Sequence, residues 1–129
     1  MEQIKVNSSQ LDTYKKIWRV VQAIPSGKVS SYGAIADIAG LPGRARLVGK
    51  CLGQVPKDGF CGQPVPWFRV LRSDGSIAFP IGSEAFDRQK ALLMDEGVFV
   101  KGRRINLNDF SWRPDLSELL ALEQPYWAY

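Results

Sequence analysis

Apolar residues recur every three or four positions from Leu11 to Ile24: Leu11, Tyr14, Ile17, Trp18, Val21 and Ile24. That period places them on one face of an amphipathic helix. Ser8 or Ser9 is positioned to cap its start, and Pro25-Ser26-Gly27 stops it. Ser30 and Ser31 offer caps for a short second helix, Tyr32 to Ala39. Ile35, Ala36, Ile38 and Ala39 face inward there, and Gly40 suits the position after its end. A third helix follows the turn Leu41-Pro42-Gly43, with Val48, Cys51, Leu52 and Val55 as its buried stripe. Two short helices joined by a glycine-containing turn of this length resemble a helix-turn-helix.

The pattern then changes. Lys57 to Val65 is a glycine- and proline-bearing loop, and Pro66-Trp67-Phe68-Arg69-Val70-Leu71 is apolar enough for a strand. Ser73-Asp74-Gly75-Ser76 has hairpin-turn chemistry and Ile77-Ala78-Phe79 is expected to return, which would form a wing. Ser83 caps a helix from Glu84 to Glu96, ended by Gly97, with Phe86, Leu92 and Leu93 as its core face. Val98-Phe99-Val100 and Ile105-Asn106-Leu107 flank Lys101-Gly102-Arg103-Arg104, a second small hairpin. Asp115-Leu116-Ser117-Glu118 matches a capping box, and Leu116, Leu119 and Leu120 are expected to dock that last helix. Pro125-Tyr126-Trp127-Ala128-Tyr129 are packed aromatics or a partner contact. The fold class is mostly α with a small β wing, a winged helix-turn-helix.

A chain of 129 residues with 45% apolar and 23% charged residues fits one domain and excludes wholesale disorder. No apolar run approaches the roughly 20 residues that span a bilayer. The opening Met1-Glu2-Gln3-Ile4-Lys5 lacks the pattern of a secretory signal, so a cytoplasmic location is the expectation. Histidine is absent, which removes imidazole bases and ligands; no metal or cofactor is expected. All 17 basic residues but only ten of the 13 acidic ones lie in residues 1–113, a net +7, whereas residues 114–129 carry a net −3. A basic body suits a polyanion such as nucleic acid, and equally a merely soluble basic protein.

The third helix narrows this choice. Arg46, Gly49 and Lys50 share one face, and Arg44 lies near the helix start. Basic side chains around a glycine allow close approach to a phosphate backbone, with Lys28, Ser30, Ser31 and Tyr32 as further donors. A solvated basic face has the same pattern. Trp67 is a core or wing-base residue, or else a flat wall for an extruded base. Arg69, among apolar residues, needs a carboxylate or carbonyl partner. Glu96 either pairs with such a cation or lines a pocket. Cys51 lies on a buried stripe; Cys61, in a loop, has nothing nearby to lower its pKa.

Taken in order, Lys28-Val29-Ser30-Ser31-Tyr32-Gly33, Ala39-Gly40-Leu41-Pro42-Gly43-Arg44-Ala45-Arg46-Leu47-Val48-Gly49, Pro66-Trp67-Phe68-Arg69-Val70 and Glu96-Gly97 form a specific set. The set resembles the DNA-binding domain of O6-alkylguanine-DNA alkyltransferases. Those enzymes carry Pro-Cys-His-Arg-Val, whose cysteine accepts the alkyl group. Trp67 at that position resembles the alkyltransferase-like proteins, and Leu107 to Pro114 is also similar to that group. The resemblance runs from about Tyr14 to Pro114. It implies a winged-helix DNA-binding domain over residues 1–114 and an acidic extension over 115–129.

The resemblance also implies roles. Tyr32 crowds the target phosphate and helps rotate the nucleotide. Arg46 enters the duplex from the minor groove and fills the vacated stack, and Gly49 marks close approach. Ser31, Arg44 and Lys50 complete the expected DNA contacts. Tyr32, Val65, Trp67, Phe68 and Glu96 line the expected lesion pocket. The implied function is a monomeric, non-enzymatic damage sensor. It flips O6-alkylguanine in double-stranded DNA and marks it for nucleotide excision repair proteins. An indole supplies neither a soft nucleophile nor a base, and Phe68 replaces the relay histidine. Gln54, the inserted Cys61-Gly62-Gln63 and the apolar Phe79-Pro80-Ile81 depart from the family pattern. The alternatives are a winged-helix transcription regulator and an alkyltransferase using Cys61.

Overall fold

The computed structural model of the chain describes residues 8–123. Helix α1 spans Ser8–Gln22, so Ser8 and Ser9, the expected caps, lie within the helix. The short strand β1, Ser30–Ser31, runs straight into α2, Tyr32–Ile38, and α3 spans Ala45–Leu52. Ser31 caps α2, its hydroxyl oxygen accepting from Ala34 N at 3.1 Å. The α2 end is closed by Leu41 N donating to Ala36 O at 2.8 Å and Gly40 N to Asp37 O at 3.1 Å. This pair of bonds, with Gly40 at φ +79°, is a Schellman cap, and it turns the chain sharply toward α3.

Tyr14, Ile17, Trp18, Val21 and Ile24 of the α1 segment pack with Ile35 and Ala36 of α2 and with Val48 and Cys51 of α3. The predicted stripe of α3 is right for Val48 and Cys51, but Leu52 is only partly buried and Val55 lies past the helix end. Trp18 Nε1 donates to Cys51 O at 3.1 Å, and Cys51 Sγ donates to Tyr14 O at 3.6 Å. Burial pushes the Cys51 thiol up to about 12, so it is a core residue.

A second core lies beyond β1. Helix α4, Glu84–Asp95, contributes Phe86 and Leu93, which pack with Val29, Leu71, Ile77, Val98, Val100 and Ile105. Ser83 caps α4, and Gly97 ends it with another Schellman arrangement: Val98 N to Leu93 O and Gly97 N to Met94 O, both 3.0 Å. The seam between the cores is a parallel pair, Ser30↔Val70 and Ser31↔Leu71, where β2 is Val70–Leu71.

That pairing corrects the predicted wing. Only Val70 and Leu71 of the segment 66–71 are strand; Trp67–Arg69 form one 3₁₀ turn. Arg69 N donates to Pro66 O at 3.0 Å, which winds the turn and lets the Arg69 side chain reach the part-buried Glu96. The turn at 73–75 exists, but the returning chain pairs with residues 103–105 instead of Val70. Ser76 bridges Arg104, and Ile77 N donates to Arg103 O at 2.8 Å. The wing is therefore the second predicted hairpin, β3 Val100–Lys101 with β4 Arg104–Ile105. A short α5, Leu107–Phe110, follows.

Helix α6, Leu116–Leu122, carries the predicted capping box: Glu118 N donates to Asp115 Oδ1 at 2.8 Å and Asp115 N to Glu118 Oε1 at 3.0 Å. Its docking differs from expectation. Leu116 and Leu120 are 70% and 52% exposed, and Leu122 packs on the first core instead. Arg19 Nη2 also donates to Ala121 O at 2.9 Å, which ties the end of α6 to α1. The expected terminal aromatics, 125–129, lie outside the described residues.

The two cores give separable predictions for glycine. Gly97 stands at φ +84° with open space around its Cα, so Gly97→Ala incurs only the left-handed strain, about 1–2 kcal/mol of stability. Gly33, helical and equally open, behaves oppositely, and Gly33→Ala is expected to gain about 0.5 kcal/mol. Urea-unfolding midpoints of the two variants measure both signs.

Candidate nucleic-acid interface

The expected site residues fall into two groups. On one side, the solvent face of α3 presents Arg46, Gly49 and Lys50, all exposed, with Arg44 exposed just before the helix. The Tyr32 ring lies so close to α3 that a Cβ on Gly49 would stand 3.9 Å from its Cε1. Burial pushes the Tyr32 hydroxyl above its ordinary pKa, with the Arg72 guanidinium pulling the other way. The phenol stays neutral at physiological pH and keeps a proton to donate. Ser31 beside it spends a lone pair on capping α2 and retains its own donor.

On the other side are the aromatics. Trp67 is half-buried, with Phe68 at 5.9 Å between ring centroids and Phe79 at 6.4 Å, both edge-on. Such geometry sets the edge of one ring against the electron-rich face of another and fixes the indole plane. Of the expected pocket residues, Val65 is 6% exposed; its side chain packs into the first core and its carbonyl accepts from Trp67 N at 2.8 Å.

Behind the aromatics sits an ion pair. Arg69 Nε donates to Glu96 Oε1 at 2.9 Å and Nη2 to Glu96 Oε2, while Nη1 donates to Ile24 O at 2.8 Å. Both side chains are about 15% exposed. Gly27 N also donates to Glu96 Oε1, at 3.1 Å. The guanidinium carbon stands 5.3 Å from the Phe68 ring centre. The sequence left Glu96 between ion pair and pocket wall; its carboxylate is taken up by Arg69 and Gly27, behind the rings. Burial raises the Glu96 pKa, but the hydrogen bonds from Arg69 and Gly27 outweigh it and hold the carboxyl below its ordinary range.

Two positioning residues escaped the sequence analysis. Gln89 on α4, only 1% exposed, donates from Nε2 to Phe68 O at 2.9 Å and Val70 O at 3.2 Å, so it fixes the 3₁₀ turn. Arg103 in the wing donates from Nη2 to Ile77 O at 3.0 Å and Phe79 O at 3.3 Å, which holds Phe79 beside Trp67. A buried glutamine amid Phe86 and Leu93 was the available signal for the first; the second depends on the hairpin partner. Cys61 is exposed at a two-residue turn, where Phe60 and Gln63 exchange backbone hydrogen bonds of 2.9 and 3.2 Å. Gln22 of α1 donates to Phe60 O and Gln63 O, which ties that turn to the end of α1. Among the described residues, no helix is long and apolar enough to cross a membrane.

This geometry has relatives. The 6-O-methylguanine DNA methyltransferase DNA-binding domain family matches residues 12–98. A DNA base-flipping protein of Vibrio parahaemolyticus is 45% identical over 100 residues, which cover 77% of this chain and 94% of that protein. Alkyltransferase-like protein 1 of Schizosaccharomyces pombe is 37% identical, covering 78% of this chain and 94% of its own. The crystal structure of S. pombe Atl1 in complex with damaged DNA containing O6-carboxymethylguanine superposes with a TM-score of 0.70 at 37% identity, over 80% of this chain and 96% of that one. The chain belongs to the 6-O-methylguanine DNA methyltransferase DNA-binding domain family. Within it, the protein is a homologue of the alkyltransferase-like, DNA base-flipping members.

The depressed pKa of Glu96 sets the sign of a pH effect. The unfolded carboxyl binds its proton more tightly than the folded one, so this contribution to stability is present above the ordinary value of 4.5 and lost as pH falls below it. Urea midpoints measured on descending pH are expected to fall less steeply in Glu96→Gln than in the parent chain; parallel curves would remove the ion pair from the account.

Proposed function

We propose that this protein captures O6-alkylguanine in duplex DNA, by base flipping through a minor-groove helix-turn-helix, and does not repair it. Trp67 carries the reading. On the family resemblance its indole stands where an acceptor cysteine would be, half-buried and held edge-on between Phe68 and Phe79. A flat apolar surface beside an open basic helix stacks or packs an extruded base well. It forms no bond to an alkyl carbon, because that step needs a thiolate and a base to generate it. Cys51, with its thiol pushed to about 12 inside the core, and Cys61, tied to the end of α1, offer no substitute.

The roles carry over from the family resemblance. Tyr32 presses on the phosphate of the target nucleotide, and Arg46 occupies the stack left behind. Gly49 lets α3 lie close, while Ser31, Arg44 and Lys50 hold flanking phosphates. Trp67, Phe68, Tyr32 and the backbone at Val65 line the lesion pocket. Glu96 supports it from behind through Arg69. Unstacking costs a few kcal/mol, and an alkylated guanine, already poorly paired, lowers that cost. A monomer that binds without turnover then serves as a mark for nucleotide excision repair. The acidic segment from Asp115 onward is an extension of the DNA-binding domain, its helix α6 packed on the first core through Leu122. S. pombe Atl1, bound to DNA containing O6-carboxymethylguanine, supports the choice of lesion.

Binding titrations with matched duplexes at one salt concentration test this, because affinity for DNA has no meaning without the salt. The duplex with O6-methylguanine is expected to bind more tightly than the plain one. Arg46→Ala and Tyr32→Ala each weaken binding about tenfold, or 1.4 kcal/mol, and Trp67→Ala brings the two duplexes toward equal affinity. Equal affinity in the parent chain, or a footprint at defined sites on undamaged DNA, would overturn the proposal.

A further inference from the structure

The parallel register Ser31↔Leu71 has a consequence on the surface. The residues that follow the pair, Tyr32 and Arg72, leave the ladder side by side. Arg72 is exposed, and its charge reaches the Tyr32 hydroxyl. The turn after it is tight: Arg72 N donates to Ser76 O and Gly75 N to Arg72 O, both at 2.9 Å. At its tip, Asp74 accepts from Ser76 N at 3.0 Å and Ser76 Oγ at 2.6 Å through Oδ1. The other oxygen, Oδ2, accepts from Arg104 Nη2 at 3.4 Å. Arg104 in turn faces Lys101 across the wing hairpin. The two arginines thus stand at fixed positions on strand ends, with Asp74 orienting Arg104.

We infer that Arg72 and Arg104 form a second phosphate-binding edge, continuous through Tyr32 with the solvent face of α3, that grips the backbone of duplex DNA. The continuity runs from Gly49 to the Tyr32 ring, from Tyr32 to Arg72 as the residues that follow the Ser31↔Leu71 pair, from Arg72 through its turn to Asp74, and from Asp74 to Arg104. Along this line stand the cations Arg46, Lys50, Arg72, Arg104 and Lys101, with the carboxylate of Asp74 against Arg104. The Asp74 side chain is 51% exposed and that of Arg104 67%, so their 3.4 Å pair is weak, and a phosphate can share or displace it at little cost. The wing then acts as a clamp on the strand that α3 alone does not reach. It contacts phosphate and carries no information about the base. The inference shares with the proposed function only the premise that the partner is duplex DNA.

The test is the salt dependence of binding to plain and O6-methylguanine duplexes of equal length. Each lost phosphate contact lowers the slope of log K against log salt by about 0.9. Arg72→Gln and Arg104→Gln are each expected to lower it by that amount, and the double variant by about 1.8. Both duplexes weaken alike, so their affinity ratio stays unchanged, and Arg104→Lys restores the slope. Lys16→Gln, on the solvent face of α1 behind the first core, leaves it unchanged. Thermal unfolding of each variant checks that the fold survives. An unchanged slope in the double variant overturns the edge. So does an equal loss in Lys16→Gln, which would mean diffuse charge, or a fall in the affinity ratio, which would mean lesion reading. A parent chain that binds both duplexes equally sinks the lesion proposal but leaves the slopes to decide this one; a parent chain that binds neither sinks both.

Discussion

One ion pair ties the molecule together. Arg69 leaves a single 3₁₀ turn, meets both oxygens of Glu96 at the end of α4, and donates to the carbonyl of Ile24 after α1. It therefore joins the two cores at the point where the aromatic surface begins. A carboxylate at a helix C-terminus is ordinarily disfavoured by the helix dipole. Here the guanidinium and the N–H of Gly27 supply the compensating charge and hydrogen bond. The cost of placing two charges largely out of water is offset by geometry and by satisfied partners. What the pair contributes is position: Phe68 lies against Arg69, and Trp67 lies against Phe68.

From that fixed point the proposed division of labour is plain. The helix-turn-helix supplies cations and a close-packed tyrosine, held by caps that turn the chain sharply after α2. The second core supplies a rigid aromatic wall, kept in place by Gln89 and Arg103 through backbone carbonyls. On the proposed function, neither half is asked to remove an alkyl chain. Affinity, in this account, replaces turnover, and retention of the damaged base is the output.

The helices were legible because their apolar spacing, caps and stop signals agree locally; Asp115 with Glu118 and Gly40 after α2 are examples. The wing was misplaced because its pairing is not local. The stretch 66–71 has strand composition, yet the Arg69 side chain meets a part-buried partner 27 residues away, and a turn at Trp67–Arg69 delivers it. The last helix was recognised but docks through Leu122 rather than through Leu116 and Leu120. For the site, the exposed face of α3 followed from its period. Gln89 and Arg103 did not, because their partners are backbone atoms whose positions exist only once the fold has formed.

The central claim is that a damaged base is held without being changed. Incubation with a duplex carrying isotope-labelled O6-methylguanine, followed by intact mass of the protein and recovery of the DNA, measures it most directly. The account predicts a bound complex, an unaltered protein mass and fully labelled guanine in the recovered strand. Transfer of the labelled methyl group to the protein, at Cys61 or elsewhere, would contradict it.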